Sequence, residues 1–425
     1  MPVVIPDLRL PDRSRNWKWW VCGLLLLATM INYMDRLTLN LMAVRIMEAF
    51  GLNELQYGRV ESAFAVAFAL GALLMGWLAD RINVRWLYAL AVFVWSAAGF
   101  ATGFAQGFLS LLVCRFLLGL AEAGNWPCAL RTTQRILAPR ERTLGNGILQ
   151  SGAAFGAILT PWVVSGLIDL TGTWRYAFWV VGGCGVSWVV FWFLLVRSRD
   201  LALPPRATPG GAGKAGAGGP ALPAALFVRR FLVLVVLVVM INLSWHFFRA
   251  WLPLILQRQH GYSERDTSRF LSAYYVATDL GSLAAGFASL YLVRRGFSVH
   301  GSRLVVFFGC SLLTALSVVV ATLPPGPLLL ALFLVIGFGA LGVFPNYYSF
   351  SQELTVRHQG KVTGALGCCC WLAMAGLHEL VGRLVTTTGS YTTGVALAGL
   401  APMAGFLTVA LLWGPARPAT PDVPA

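Results

Sequence analysis

The residues of this chain that could do chemistry are few and unusually placed. Asp35, Arg36, Arg115, Glu122, His246, Arg249 and Asp279 all stand inside long apolar runs. An ionisable side chain at the centre of a bilayer costs at least ~2.5–3.5 kcal/mol on insertion scales, so each such group needs a purpose. With a helical rise of ~1.5 Å per residue, Arg36, Arg115 and Arg249 come near the midplane or slightly outside it. Three cations at one level call for an anion.

Helix geometry limits who can pair with whom. Asp35 and Arg36 are adjacent, so their side chains leave a helix ~100° apart. Arg115 and Glu122 share a face but stand two turns apart, ~10.5 Å of rise. Neither pair closes locally. His246 and Arg249 share a face at i and i+3, as do Tyr33, Arg36 and Asn40 at i, i+3 and i+7. With the three arginines, Asp35, Glu122 and Asp279 all ionised, the interior charge is zero. Protonating one carboxyl then leaves one positive charge for a monoanion to neutralise, which is a physical basis for symport. The competing reading is a buried ion-pair network that fixes helix register. His378 and Glu379 lie nearer a span end and read as polar contacts there.

The elements that position these residues are membrane helices. Of 425 residues, 57% are hydrophobic and 12% charged, about half the charged share of a soluble domain. The apolar residues fall in blocks above the ~18 needed to span, and stretches such as FLVLVVLVVM (Phe231 to Met240) lack the alternation of a barrel strand. Twelve spans are predicted near 17–44, 57–79, 86–105, 107–130, 143–168, 174–196, 229–256, 267–293, 301–321, 325–350, 360–385 and 390–414. The first is too long for a signal-peptide core and stays as a span.

The net charge of +15 does not imply nucleic acid, because the Lys and Arg residues sit in short segments between spans. Of the 32, 22 fall on the side of the termini, 7 on the other and 3 within spans. The positive-inside rule then puts both termini in the cytoplasm. The eight cysteines lie in apolar blocks without CxxC or Cys/His spacing, so neither a disulfide framework nor a metal site is expected. No nucleophile with a nearby base and no phosphate-cradling loop appears, which argues against an enzyme. The 16 tryptophans read largely as interfacial anchors, as with Trp17, Trp19 and Trp20. The glycines Gly71, Gly76, Gly147, Gly152 and Gly156 read as helix-packing residues.

Between spans six and seven, 19 of the 25 residues from Leu201 to Ala225 are Gly, Pro or Ala, the composition of a flexible linker. The expected organisation is a cytoplasmic tail at 1–16, a six-helix bundle at 17–196, a linker at 197–228, a second six-helix bundle at 229–414 and a tail at 415–425. Collinear matches support a repeat: Ile31-Asn32 with Ile241-Asn242, Gly76 with Gly286, and Pro127-x6-Gln134 with Pro345-x6-Gln352. Halves repeated in one orientation are the pattern of a large transporter class.

The motifs also carry a family resemblance. INYMDRLTLN (Ile31 to Asn40) resembles the first-helix signature of the anion:cation symporter branch of the major facilitator superfamily, which contains hexuronate, galactonate and glucarate transporters. RFLLGLAEAGNWP (Arg115 to Pro127) is similar to its fourth-helix signature, GWLADR (Gly76 to Arg81) to the superfamily's loop motif, and GILQSGAAFGAILTP (Gly147 to Pro161) to its Gly-rich fifth helix. The resemblance implies an all-α fold of twelve transmembrane helices in two six-helix bundles related by a pseudo-two-fold axis. It implies proton coupling through Asp35 and Glu122, substrate binding through Arg36, Arg115 and Tyr33, and gating through Asp80 and Arg81. Gln150 stands where hexuronate-type members commonly have Asn. Gly367 and Trp371 replace a pair of asparagines usual in span eleven, and His246 and Arg249 are candidates to restore that polarity.

The expected function is proton-coupled symport of a small organic anion such as a sugar acid, by rocking of one half against the other. Arg36, Arg115 and Arg249 would hold the carboxylate, Tyr33, Asn40, Gln150, His246 and Asn346 the hydroxyls, and Trp371 would stack on a sugar ring. No cofactor is expected beyond the coupling proton, with sodium left open as a substitute. The partners are a small anion and the lipid of a plasma (inner) membrane, and a single chain is the expected working unit. An antiporter or exporter of another organic or phosphorylated anion is the alternative. A transporter-derived sensor would need an output module, which the Gly/Pro/Ala linker does not supply.

Overall fold

The structure is a computed structural model that describes residue 14 and residues 16–79, 81–137, 141–201, 224–354 and 359–414. Sixteen α-helices follow one another: α1 Trp17–Leu41, α2 Ala43–Phe50, α3 Glu54–Ala79, α4 Val84–Thr102, α5 Phe108–Glu122, α6 Asn125–Ile136, α7 Arg142–Thr171, α8 Arg175–Leu195, α9 Ala224–Leu254, α10 Glu264–Arg294, α11 Val299–Ala315, α12 Ser317–Val320, α13 Pro327–Gly342, α14 Phe344–Leu354, α15 Gln359–Thr388 and α16 Thr392–Leu412. Among the described residues, no strand is present. Among the described residues, eleven helical segments are long and apolar enough to cross a membrane, α5 with α6 and α13 with α14 each forming one. Helix α1 is of spanning length too, but Asn32, Asp35, Arg36 and Asn40 interrupt its apolar run. The boundaries follow the predicted spans to within a few residues.

Several spans are interrupted where proline removes a backbone donor. Pro127 cannot bond the carbonyl of Ala123, and the chain breaks between α5 and α6 at Ala123 and Gly124. Pro345 stands in the same relation to the break between α13 and α14 at Val343. In α9, Pro253 leaves the carbonyl of Arg249 without its helical donor, and the helix passes into a π-helical turn over Ile255–Gln259.

The chain divides into two compact units. The first holds Met1–Gly213 together with Ala250–Ser272 and Ala375–Gly389. Within it α1 packs on α7 and α8, α4 on α5 and α8, and α3 on α5. Small residues permit these approaches: a Cβ on Gly152 would meet the Leu26 carbonyl, one on Gly156 the Met30 carbonyl, and one on Gly71 that of Leu120. Gly76 and Gly147, read from sequence in the same way, face open space. Trp17 also departs from expectation. It is buried and donates its indole N–H to the Leu195 carbonyl at 2.8 Å, so it ties α1 to α8, whereas Trp20 is exposed as an anchor should be. Beside it Tyr88, Trp95, Trp188 and Trp192 form the aromatic part of the core.

The end of this unit remote from Trp17 is tightly closed. Helix α15 lies against α3 so closely that a Cβ on Gly58 would strike the His378 carbonyl and one on Gly382 would lie 2.7 Å from the Glu54 carbonyl oxygen. Ser62 Oγ donates to the Ala375 carbonyl at 2.7 Å, and Leu55 N–H to Thr386 Oγ1 at 3.1 Å. Ion pairs ring the contact: Arg45–Glu264, Arg258–Glu54, Arg265–Asp169 and Arg59–Glu379. Such partly exposed pairs contribute at most ~1 kcal/mol each, so the backbone contact is the stronger constraint.

The second unit holds Lys214–Arg249, Ala273–Met374 and Ser390–Ala425. Here α11 packs on α13 and α16, Gly281 of α10 lies against the Phe338 carbonyl, and Gly339 of α13 against that of Cys310.

A methyl group at residue 58 meets backbone and cannot be relieved by a side-chain rotation. Gly58→Ala is therefore expected to separate α3 from α15. Spin labels at residues 53 and 387 would report a longer distance than in the otherwise unaltered protein; an unchanged distance would show the glycine contact to be dispensable.

Candidate functional site

In the first unit the buried charges of α1, α3 and α5 meet. Arg36 donates from Nε and Nη2 to one oxygen of Glu122, at 3.0 and 2.7 Å, and from Nη2 to Asn32 Oδ1 at 3.3 Å. Arg115 donates from Nη2 to Glu61 Oε1 at 2.6 Å. Both carboxylates are fully buried, and Arg115 is 2% exposed. Phe64 separates the two pairs: the Arg36 guanidinium carbon lies 5.2 Å from its ring centroid and that of Arg115 4.8 Å. Tyr33 and Phe68 complete the aromatic wall around Arg36, each 5.2 Å away. Cations against aromatic faces in a desolvated setting are favoured electrostatically. The pairing thus crosses between helices, as the spacing of Asp35, Arg36, Arg115 and Glu122 demanded.

Glu61 is absent from the sequence-based set. It stands four residues inside the span read at 57–79, where it passes for an end residue. The signal that finds it is the face it shares on α3 with Tyr57, Phe64 and Phe68, at i−4, i+3 and i+7, all of which line the same polar cluster. A charge argument finds it too, since Arg115 is two turns from Glu122 and needs a second acid. With Glu61 counted, the cluster on α1, α3 and α5 holds two buried guanidiniums and three buried carboxyls, and one proton makes it neutral.

Asp35 is the third carboxyl and joins neither pair. It is 2% exposed, and neither oxygen has a hydrogen-bond partner. Its Oδ1 faces Gly99 of α4, where an added Cβ would come within 2.6 Å. Asn40 Nδ2 donates both its hydrogens, to Glu61 Oε1 at 3.0 Å and to Tyr57 Oη at 2.9 Å. Both donors of the Asn40 amide are thus engaged within the protein. Tyr57 in turn donates to the Ala250 carbonyl at 2.9 Å. Tyr33 is half-buried and Gln150 is exposed on α7. Asp80 lies outside the described residues, and Arg81 stacks on Trp77 at 3.8 Å.

The remaining candidates belong to the second unit. Arg249 and His246 are buried on α9, and the His246 ring packs edge-on against Trp371 with centroids 4.6 Å apart. Trp371 thus touches an imidazole, not open space alone. Asn346 on α14 is 3% exposed, and its Nδ2 has no hydrogen-bond partner among the described residues. Asp279 is half-buried on α10. Among the described residues no group of His, Cys, Asp and Glu could hold a metal ion.

Guanidinium–carboxylate pairs buried in a bundle of membrane helices mark a functional site, since ionisable groups at that depth are costly. The Major Facilitator Superfamily model matches residues 25–378, and the chain belongs to that family. It is 27% identical over 405 residues to a D-galactonate transporter of Escherichia coli O6:H1, covering 88% of this chain and 92% of the relative. It is 28% identical over 395 residues to a hexuronate transporter of Bacillus subtilis, covering 88% and 90%. In fold it is similar to a bacterial homologue of the human lysosomal transporter Spinster, solved in an inward-facing and unoccupied conformation, with a TM-score of 0.70, 18% identity and coverage of 94% and 95%. The chain is therefore a multi-pass membrane transporter and not an enzyme.

Removing one partner of a buried ion pair costs ~3–5 kcal/mol, because the other is left without its counter-charge. Glu122→Ala is expected to lower thermal stability in detergent markedly, and Glu122→Gln less so because the amide still accepts from Arg36. Equal unfolding temperatures for Glu122→Ala and the unsubstituted protein would contradict the pairing.

Proposed function

We propose that this chain carries a small organic anion, a sugar acid, across the membrane together with a proton, by alternating access. The observation that supports it most is that Arg36 and Arg115, the buried arginines of the first unit among the described residues, are each held by a carboxylate that a proton can neutralise. Ionised, Glu122 and Glu61 occupy Arg36 and Arg115. Protonated, they yield the guanidinium to a substrate carboxylate, which has the same charge and bidentate geometry. Proton and anion then enter as a neutral sum, and neither enters readily alone.

Asp35 adds a third proton-carrying group. An ionised carboxylate buried without a hydrogen bond has nothing to offset its lost hydration, while the neutral acid loses far less. Protonation there also brings the cluster of two guanidiniums and three carboxyls to neutrality. Arg249 is the third guanidinium for the anion. Tyr33, Gln150, His246 and Asn346 supply hydroxyl contacts, and the Asn346 amide nitrogen has no hydrogen-bond partner among the described residues. Trp371 offers a ring for a sugar face. Asn40 acts through Glu61 and Tyr57, and Asp80 with Arg81 gates the end nearer the termini. The names of the galactonate and hexuronate transporters support the substrate class, since such acids pair one carboxylate with several hydroxyls. The Lys and Arg bias supports cytoplasmic termini in a plasma (inner) membrane, and a single chain works alone.

Reconstituted vesicles with an acidic exterior are expected to accumulate labelled galactonate or a hexuronate, but not the corresponding neutral sugar. Accumulation only on imposing the opposite gradient would contradict symport. Asp35→Asn is expected to abolish uphill accumulation while retaining exchange of substrate between the two sides. Intact accumulation by that variant would remove Asp35 from the mechanism.

A further inference from the structure

Glu61 does more than neutralise Arg115. Its Oε1 accepts from Arg115 Nη2 and from Asn40 Nδ2, and that amide passes the connection to Tyr57, whose hydroxyl donates to the Ala250 carbonyl. Ala250 follows Arg249 directly, on the stretch of α9 that Pro253 and the π-helical turn weaken. The Tyr57 ring meets Trp251 edge-on with centroids 5.2 Å apart, and the Trp251 indole donates to His378 Nδ1 at 3.2 Å. His378 is the residue whose carbonyl Gly58 abuts. A run of hydrogen bonds and one ring contact therefore leads from the candidate anion site to the closed end of the first unit. Arg115 and Glu61, at its start, form its ion pair.

We infer that Glu61 is the group that couples the anion site to that closure. Its ionised carboxylate holds Arg115 and orients Asn40, which keeps Tyr57 on the Ala250 carbonyl. Gain of a proton frees Arg115 for an anion and removes the charge that orients Asn40, so the Tyr57 contact weakens and the closed end opens. Anion capture and opening thus become one event. Among the charged and titratable groups on the elements packed about Glu61 are Tyr33, Asp35 and Arg36 of α1, Arg115 and Glu122 of α5, and His378, Glu379 and Arg383 of α15; of these Arg115 bonds its carboxylate, while Glu379 pairs with Arg59 and Arg383. The inference rests on the anion-carrier reading for its biological meaning, and the closure can be followed without any substrate.

The test follows a cysteine at residue 375, buried where α15 meets Ser62, in a chain whose eight native cysteines are replaced. The probe is a membrane-impermeant maleimide, applied to reconstituted vesicles over a range of pH. With Glu61 intact, labelling is expected to rise as the pH falls. Glu61→Gln should label about tenfold faster, the factor expected on losing a charge-assisted hydrogen bond, and without pH dependence. Glu61→Asp should restore the pH dependence. Tyr57→Phe, which changes no charge, should also label faster, and it serves if Glu61→Gln does not fold. Labelling of Glu61→Gln and Tyr57→Phe at the unsubstituted rate at every pH would overturn the inference. If labelling responds as described but no sugar acid is transported, the substrate reading fails and the coupling stands.

Discussion

A guanidinium and a carboxylate in contact within a dry helix bundle hold each other because neither has water to return to. Arg36–Glu122 and Arg115–Glu61 are two such contacts, set on either side of Phe64. Either partner alone would be intolerable at that depth, so the pairs fix the register of α1, α3 and α5 relative to one another. In the proposed mechanism the same property makes them responsive: a proton on the acid removes the reason for the contact and leaves a cation in need of an anion, so that stability and transport would draw on one interaction in two protonation states.

The surrounding fold is arranged to let such a change be felt. Glycines at Gly71, Gly119, Gly152 and Gly156 bring helices of the first unit close enough for short side chains to bridge them. Prolines at Pro127, Pro253 and Pro345 interrupt the helical hydrogen bonding near the polar residues, where a continuous helix would resist local rearrangement. Between the rigid packing and the broken segments runs the line from Glu61 through Asn40 and Tyr57 to α9.

Much of this was legible in the sequence, and for stateable reasons. The spans were readable because apolar length alone defines them, and the need for cross-helix pairing followed from the spacing of Asp35, Arg36, Arg115 and Glu122. Glu61 was missed because depth in the membrane was counted from an approximate span end, and an error of three residues moves a carboxyl from the interior to the boundary. The Asp35 side chain points toward Gly99 and away from the Arg36 pair, in keeping with the divergence of adjacent residues on a helix. Trp17 resembled an interfacial anchor by position and type, but only the tertiary packing of α1 on α8 buries it. The engagement of Asn40 was invisible for the same reason: a donor's partner on another helix cannot be read from one strand of sequence. The family resemblance supplied the substrate class, which neither composition nor spacing could.

The central claim is that an anion enters by exchanging places with a carboxylate that takes up a proton. Titration calorimetry of galactonate binding, repeated in buffers of different ionisation enthalpy, measures the protons bound per anion. The account predicts an uptake of about one proton for each anion, by linkage between the two ligands, diminished when Glu61 and Glu122 are both replaced by glutamine. Binding of galactonate with no net proton uptake in any buffer would contradict it.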